Sequence, residues 1–299
     1  MRLSRRMFLA CSAGTVAVIA GGVAAGGELV SRGVLPGKAA LDRLDGACSV
    51  AGPAWSFAAP LGPTVSGRFY SAARERVVGY SIGYPPGHRQ GDELALVVML
   101  HGFGANHLTA LTGLTPSQAV ALSGPRPPMA MVTVDGGNGY WNPHPGDDPM
   151  AMLVDELIPR CAALGLGRGG RIGAMGISMG GYGALLLAEQ HPSLVRAVAA
   201  ISPAIWTSYA QARQANAGAY DSAEAFAAAD AVTRAGALAG IPVRVAAGYG
   251  DPFYPGVQAL AARLPAGSTV DFTKGCHDGP FFSSQEQPSL EFLARHLAL

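Results

Sequence analysis

The pentapeptide Gly-Ile-Ser-Met-Gly at 176–180 constrains this chain more than any other part of its sequence. It follows a short apolar run at 171–175, which predicts a buried strand, and it opens an Ala- and Leu-rich run at 179–190, which predicts a helix. A serine in so tight a strand-to-helix turn is held in a strained conformation, and its neighbours two positions away need to lack side chains. Glycine stands at both of those positions. We therefore predict that Ser178 is a nucleophile at a helix N-terminus, where free N–H groups favour negative charge.

Short apolar runs alternate with helical patterns along the rest of the chain. The continuously apolar run at 94–100 predicts a strand buried on both faces of a sheet, and it opens a series of buried strands predicted at 129–134, 172–175, 195–201, 243–247 and 269–272. The preceding stretch 67–84 alternates aromatic or β-branched residues with polar ones, which predicts antiparallel strands at the start of the sheet. Helical patterns, including 151–164, lie between the runs. The alternation predicts an α/β fold with a mostly parallel central sheet and helices on both faces.

Residues 203–240 interrupt this alternation. They are Ala-rich and predict helices, with the aromatic residues Trp206, Tyr209, Tyr220 and Phe226 at irregular spacing. The region follows a central strand, so we expect a helical insertion at the carboxyl edge of the sheet. It would form a lid or pocket wall near the active site, and plain surface helices are the alternative.

Residues 1–27 predict an export signal. The pair Arg5-Arg6 precedes a stretch without charge from Met7 to Gly27, which resembles the twin-arginine (Tat) signal of bacteria. Small residues at 23–25 offer a cleavage site, but the uncharged stretch also reaches the ~20 residues that span a bilayer. A secreted protein and one anchored to the membrane or cell envelope are therefore both open. We expect a linker and edge segment at 28–60 and the catalytic domain at 61–299.

Composition excludes several classes of partner. Lys and Arg (21) nearly balance Asp and Glu (20), and no basic block lies beyond the first six residues, so no nucleic acid is expected to bind. The chain contains no phosphate-binding loop or dinucleotide fingerprint. The cluster His101, His107, His144, Asp147 and Asp148 lacks metal-ligand spacing, so we expect no metal and no cofactor.

Three cysteines, Cys48, Cys161 and Cys276, follow the predicted signal. One disulfide can form outside the cytosol, and it would leave one thiol free. Cys276 adjoins His277, and we interpret it as a small packing side chain rather than a reactive thiol.

A nucleophilic serine needs a base to take its proton and a carboxylate to orient that base. In proteins whose nucleophile lies in a turn of this kind, the acid and then the histidine follow the serine along the chain, each on a loop after a strand. His277 is the downstream histidine that directly follows a predicted strand, and it lies between small residues. Asp251 follows the strand at 243–247 through a Gly-Tyr-Gly turn. The alternatives are a loop histidine bonded to Asp278, and a turn-forming aspartate at 251.

Two backbone N–H groups are needed to hold the oxyanion that forms during ester chemistry. We predict that Met179, after the nucleophile, supplies one, and that Phe103 supplies the other, with Gly104 as second choice. Glycines in the loop after the first buried strand let the backbone approach the substrate. Predicted substrate contacts are His101, Gly102, Gly104, Trp141 and Trp206.

The motifs that carry chemistry share a pattern with one known family. They are His101-Gly102, 135–141, 176–183, 202–206, 250–253 and His277-Asp278. On these motifs the chain resembles the bacterial α/β-hydrolase esterases that include esterase D-type enzymes and the antigen 85 mycolyltransferases. The resemblance implies an α/β-hydrolase fold, a Ser178-Asp251-His277 triad and carboxylic-ester chemistry without cofactors. The mycolyltransferase branch has Glu as its acid, whereas this chain has Asp251.

We accordingly expect an exported serine esterase that acts on small-molecule or lipid esters through an acyl-Ser178 intermediate. An acyltransferase that moves the acyl chain to a sugar or alcohol differs only in what attacks that intermediate, and it stays open. A non-catalytic cell-envelope protein that has kept the fold is the alternative from another class.

Overall fold

The computed structural model describes residues 46–50, 61–112, 114, 118, 126–167, 170 and 172–298. The chain divides into two units, Met1–Ser49 and Val50–Leu299. In the first unit the structure describes only a turn, in which the Ser49 N–H donates to the Gly46 carbonyl (3.1 Å). The predicted export signal at 1–27 and nearly all of the predicted linker lie outside the described residues. The sheet and its helices belong to the second unit.

A single eight-stranded sheet forms the centre of the second unit, with strand order β1-β2-β4-β3-β5-β6-β7-β8. Its strands are β1 (Thr64–Ser71), β2 (Arg76–Gly83), β3 (Ala95–Leu100), β4 (Met129–Val134), β5 (Ile172–Ile177), β6 (Val195–Ile201), β7 (Val243–Gly248) and β8 (Thr269–Thr273). The pairs β1/β2 and β2/β4 are antiparallel, and all other pairs are parallel. The predicted fold class, a mostly parallel sheet that begins with antiparallel strands, is confirmed.

Burial along the strands follows their place in the sheet. Strands β4 and β7 are buried at every residue, and β3, β5 and β6 at nearly every one, because helices cover both faces. The last strand, β8, was predicted to be buried, and this is wrong. It forms the sheet edge and every one of its residues is at least partly exposed.

The helices cover the two faces of the sheet. They are α1 (149–163, with π-helical Met152–Leu157), α2 (Met179–Gln190), α3 (Tyr209–Ala215), α4 (Ala223–Ala228), α5 (Ala231–Arg234), α6 (Tyr254–Ala261) and α7 (Gly279–Leu297). Helix α2 packs against β5 and β6, with all but its last residue buried. Helix α7 packs on the opposite face, against β5 and β6. Among the described residues, no helix has both the length and the apolar character required for a membrane span.

Parallel pairing brings the loops of the site together. Strands β3 to β8 all run in one direction, so their carboxyl ends lie at one edge of the sheet. The loops that follow them carry the predicted functional residues. An edge of this kind is where open α/β sheets bind ligands.

Candidate active site

Ser178 occupies the strained turn between β5 and α2 that the sequence predicts. Its backbone has φ 58° and ψ −122°, which side-chain-bearing residues rarely adopt. A Cβ atom at Gly176 would overlap the carbonyl of Gly180, and one at Gly180 would overlap the carbonyl of Leu100. The Ser178 N–H donates to the Ile201 carbonyl (2.9 Å), so the turn is fastened to the end of β6.

Ser178, His277 and Asp251 form one hydrogen-bonded line. The Oγ atom of Ser178 lies 2.8 Å from His277 Nε2, and His277 Nδ1 lies 2.9 Å from Asp251 Oδ2. The Asp251 carboxylate can only accept, so the Nδ1 atom of His277 carries the proton, and its Nε2 atom accepts from the Ser178 hydroxyl. The Asp251 side chain is fully buried, and its other oxygen accepts from the Phe253 N–H (2.8 Å).

Other carboxylates downstream of Ser178 have different partners. Asp278 adjoins His277, yet its side chain accepts from the Phe281 N–H (3.2 Å) and caps α7. Asp271 pairs with Arg244 (3.0 Å), and Asp230 caps α5. The structure thus brings Asp251 rather than its neighbours to the histidine.

The loop after β3 lies against the nucleophile. A Cβ atom at Gly102 would stand 3.6 Å from the Cβ atom of Ser178. The N–H groups of Phe103 and Met179, the predicted oxyanion donors, have no hydrogen-bond partner in the described part of the chain. The Gly104 N–H, the second choice, donates to Asn138 Oδ1 (2.8 Å) and is therefore already used.

His101 holds the backbone of this loop. Its Nδ1–H donates to the Gly102 carbonyl (2.8 Å), and its Nε2 atom accepts from the Gly136 N–H (2.9 Å). Burial lowers the pKa of His101, which keeps the ring neutral. The residue forms part of the cavity wall, but both ring nitrogens are used by the backbone and neither is left for a substrate.

Trp141 and Gly104 are placed differently from the prediction that they contact substrate, since neither lines the cavity. Trp141 is completely buried, and its indole N–H donates to the His101 carbonyl (3.4 Å). Its ring packs against Gly136 and Gly183, where any side chain would overlap the indole. The indole therefore belongs to the core, and the preceding Tyr140 lines the cavity instead.

A cavity of about 600 Å³ opens beside Ser178 and His277. Its wall is mainly apolar and includes Met99, Phe103, Tyr140, Ile177, Trp206, Phe253 and Phe282. The rings of Phe253 and Phe282 both lie 5.0 Å from the His277 ring, measured between centroids. Trp206, Ala215 and Asn216 come from the region 203–240, so that region forms one wall of the cavity, as predicted.

Cys276 and Cys161 present no exposed thiol to this site. Cys276 is disulfide-bonded and Cys161 is a buried free thiol, whose pKa burial raises to about 12. Among the described residues, no group of three or more His, Cys, Asp or Glu side chains is placed to hold a metal ion.

Sequence reasoning missed Phe253, Phe282 and Asn138. Phe253 and Phe282 flank His277, and Asn138 holds the Gly104 N–H. A signal existed for Phe253, which follows Asp251 closely on a functional loop. Neither spacing nor residue type distinguished Asn138, because its contact joins loops that are far apart in the sequence.

A nucleophile turn after a central parallel strand, with the acid and the histidine on later strand-end loops, defines the α/β-hydrolase class. A family model described as a putative esterase matches residues 71–259. The chain belongs to this esterase family, and the family resemblance predicted from its motifs is confirmed.

Solved structures share the fold at low sequence identity. They include a ferulic acid esterase (TM-score 0.66, 19% identity, covering 78% of this chain and 98% of that chain). A second is an S-formylglutathione hydrolase from Agrobacterium tumefaciens (TM-score 0.62, 16% identity, covering 79% of this chain and 95% of that chain). A third is a ferulic acid esterase from Anaeromyces mucronatus (TM-score 0.62, 17% identity, covering 80% of this chain and 94% of that chain). No curated protein matches the sequence.

Proposed function

We propose that this protein is a serine carboxylic-ester hydrolase that works through an acyl-Ser178 intermediate. The observation that carries the proposal is the hydrogen-bonded line from the Ser178 hydroxyl through His277 to the buried Asp251. The line stands at the wall of an apolar cavity, where a substrate carbonyl can reach the hydroxyl. Membership of the esterase family supports ester hydrolysis.

The geometry suits a two-step reaction. In the first step the Ser178 Oγ atom attacks the ester carbonyl while His277 Nε2 accepts its proton, and Asp251 stabilises the resulting imidazolium. The N–H groups of Phe103 and Met179 receive the oxyanion. The tetrahedral intermediate then collapses, and His277 returns the proton to the departing alcohol. In the second step water attacks the acyl carbonyl while His277 Nε2 accepts a proton from the water. The bond between the acyl carbon and Ser178 Oγ then breaks, His277 returns the proton to Oγ, and the acid is released.

The cavity favours esters with a bulky apolar group. Five aromatic side chains line its wall, and such rings stack or pack edge-on against a flat substrate; they are Phe103, Tyr140, Trp206, Phe253 and Phe282. Ferulic acid esterases are among the solved structures with this fold, which makes aromatic acyl esters natural first substrates to test.

Turnover of p-nitrophenyl esters, from acetate to palmitate, and of a simple aromatic acyl ester such as methyl ferulate tests the proposal. We expect the full chain to hydrolyse them, the Ser178→Ala variant to lose that activity, and a fluorophosphonate to label Ser178. A chain that neither turns over an ester nor takes the label would instead be the non-catalytic envelope protein. If added sugars or alcohols raise acyl consumption and become acylated, the protein is an acyltransferase.

We further infer that the protein is exported. The twin arginine and the uncharged stretch that follows it support this, and so does the disulfide at Cys276, since disulfides persist outside the cytosol. The double variant Arg5→Lys, Arg6→Lys should remain in the cytoplasm, and unchanged export of it would contradict the signal. A mature protein that begins after Ala25 would indicate that the signal is cleaved. A mature protein that keeps residues 13–25 would indicate that the segment is retained as an anchor.

A further inference from the structure

The predicted oxyanion donor Phe103 lies in a tight turn. The Ala105 N–H donates to the Gly102 carbonyl (3.2 Å), which closes a turn with Phe103 and Gly104 at its centre. Gly104 has φ +75°, a conformation that costs glycine little. The peptide between these central residues is exposed, and because it directly follows Phe103, its rotation would change ψ of Phe103 and shift the backbone of the turn that carries the Phe103 N–H.

Asn138 holds that central peptide in place. Its Oδ1 atom accepts from the Gly104 N–H at 2.8 Å, across 34 positions of sequence. Asn138 lies in the loop after β4, which adjoins β3 in the sheet, so the bond joins neighbouring strand-end loops.

A second asparagine fixes Asn138 in turn. Asn216 Nδ2 donates to the Asn138 carbonyl (2.9 Å), while Asn216 Oδ1 accepts from the Gly218 N–H (3.0 Å). Asn216 directly follows α3 as its C-cap and lines the cavity. A chain of hydrogen bonds therefore runs from the cavity wall formed by 203–240 to the turn that carries Phe103.

We propose that Asn138 is a positioning residue for ester hydrolysis, which locks the 102–105 turn so that the Phe103 N–H faces the oxyanion. Asn216 couples this lock to the wall that a substrate would contact. The inference rests on the proposed esterase function. An oxyanion donor acts on charge that develops in the transition state, so misplacing it lowers kcat and leaves KM nearly unchanged.

The test compares asparagine variants of the full chain with p-nitrophenyl acetate as substrate. Removing an oxyanion donor outright costs about 10²–10³ in kcat, and loosening one should cost Asn138→Ala about tenfold. Its affinity for a trifluoromethyl ketone, which forms a tetrahedral oxyanion on serine, should fall by the same factor. Asn138→Asp keeps the acceptor oxygen and should retain most activity at high salt, where its added charge is screened. Asn216→Ala should show a smaller loss of the same kind.

Asn106→Ala is the matched control. Asn106 lies on the same exposed loop, but its Oδ1 atom accepts from the N–H groups of Leu108 and Thr109, outside the 102–105 turn. Its kcat and ketone affinity should stay within about twofold of the parent, as for surface changes in general.

The outcomes separate this inference from the function on which it rests. An inactive parent chain that takes no fluorophosphonate label overturns both. An active parent with unchanged kcat and ketone affinity in Asn138→Ala overturns the positioning role alone. Equal losses in Asn138→Ala and Asn106→Ala, with a lowered Tm in both, or an Asn138→Asp variant as slow as Asn138→Ala, would also overturn it.

Discussion

The Nε2 atom of His277 lies 2.8 Å from the Oγ atom of Ser178, although the two residues are 99 positions apart in the sequence. They meet because Ser178 follows β5 and His277 follows β8, and both strands end at the same edge of the sheet. Asp251 follows β7, between them in space. Parallel pairing of the strands thus brings three loops that are distant in sequence close enough for Ser178, His277 and Asp251 to form hydrogen bonds.

Replacing His277 with alanine should abolish most ester turnover. Triad members act as a unit, so we expect a loss of at least about 10³ in kcat, similar for Ser178→Ala and little greater in the double variant. His88→Ala is the control, since His88 pairs with Asp92 at the surface (3.1 Å) and precedes the amino end of β3, whereas Ser178 follows the carboxyl end of the parallel strand β5. A p-nitrophenyl ester assay decides, and turnover of His277→Ala within about tenfold of the parent would refute the assignment.

Replacing Asp251 with asparagine should be almost as severe. An amide at this position favours the wrong histidine tautomer, and we expect kcat to fall by about 10⁴. Asp278→Asn is a matched change one residue from His277. It keeps the oxygen that caps α7, so its kcat should change by only a few-fold. Equal losses in the two variants, measured with the same ester, would contradict the role of Asp251.

The two tryptophans near the site should respond differently to substitution. Trp141→Phe leaves a gap in the core and loses the indole hydrogen bond, so Tm should fall while KM stays within about twofold. Trp206 lines the cavity, so Trp206→Ala should raise KM most for esters with large acyl groups. A chain-length series and a thermal melt of both variants check this. If KM changed in Trp141→Phe and not in Trp206→Ala, Trp141 rather than Trp206 would be the substrate contact.

Glu189 should make the protein less stable at alkaline pH. Its side chain is fully buried at the end of α2, and neither carboxylate oxygen has a hydrogen bond in the described part of the chain. Burial raises the pKa of Glu189 to about 8, although Arg234, 3.5 Å away, acts in the opposite direction. The folded state therefore binds this proton more tightly than the unfolded state does. The contribution of this proton to the free energy of unfolding is fully present below the pKa that Glu189 has in the unfolded chain. It is lost as pH rises through the pKa that Glu189 has in the folded protein.

The Glu189→Gln variant tests this dependence. The amide is neutral at every pH, so Tm of the variant should exceed that of the parent at about pH 9 and differ little at about pH 5. Melting curves across that range provide the measurement. A parallel decline of Tm in both proteins would show that another group titrates.

Local sterics explain why the nucleophile turn was predictable. A strained serine between a strand and a helix requires glycine at 176 and 180, and both glycines meet backbone that admits no Cβ atom. The mainly apolar runs at 129–134 and 195–201 likewise predicted strands with the bounds that the structure has, because strands covered on both faces need mostly apolar residues.

Long-range packing decided the rest. The residue type of Trp141 suggested a substrate contact, but the indole packs in the core, in space that is open because Gly136 and Gly183 have no side chains. Val270 and Phe272 suggested a buried β8, but the place of this strand at the sheet edge leaves both side chains at least partly exposed.

The sequence by itself therefore determined the α/β fold class, the turn at Ser178 and the choice of Asp251 and His277 as its candidate partners. Each depends on short-range sterics or on the order of strands along the chain. Only the tertiary structure decided which rings flank His277, which groups form the cavity wall and how Asn138 reaches the loop of Phe103. Phe253 and His277, like Gly104 and Asn138, are distant in sequence, and they meet through the arrangement of the strands in the sheet and the packing around it, which residue spacing alone does not encode.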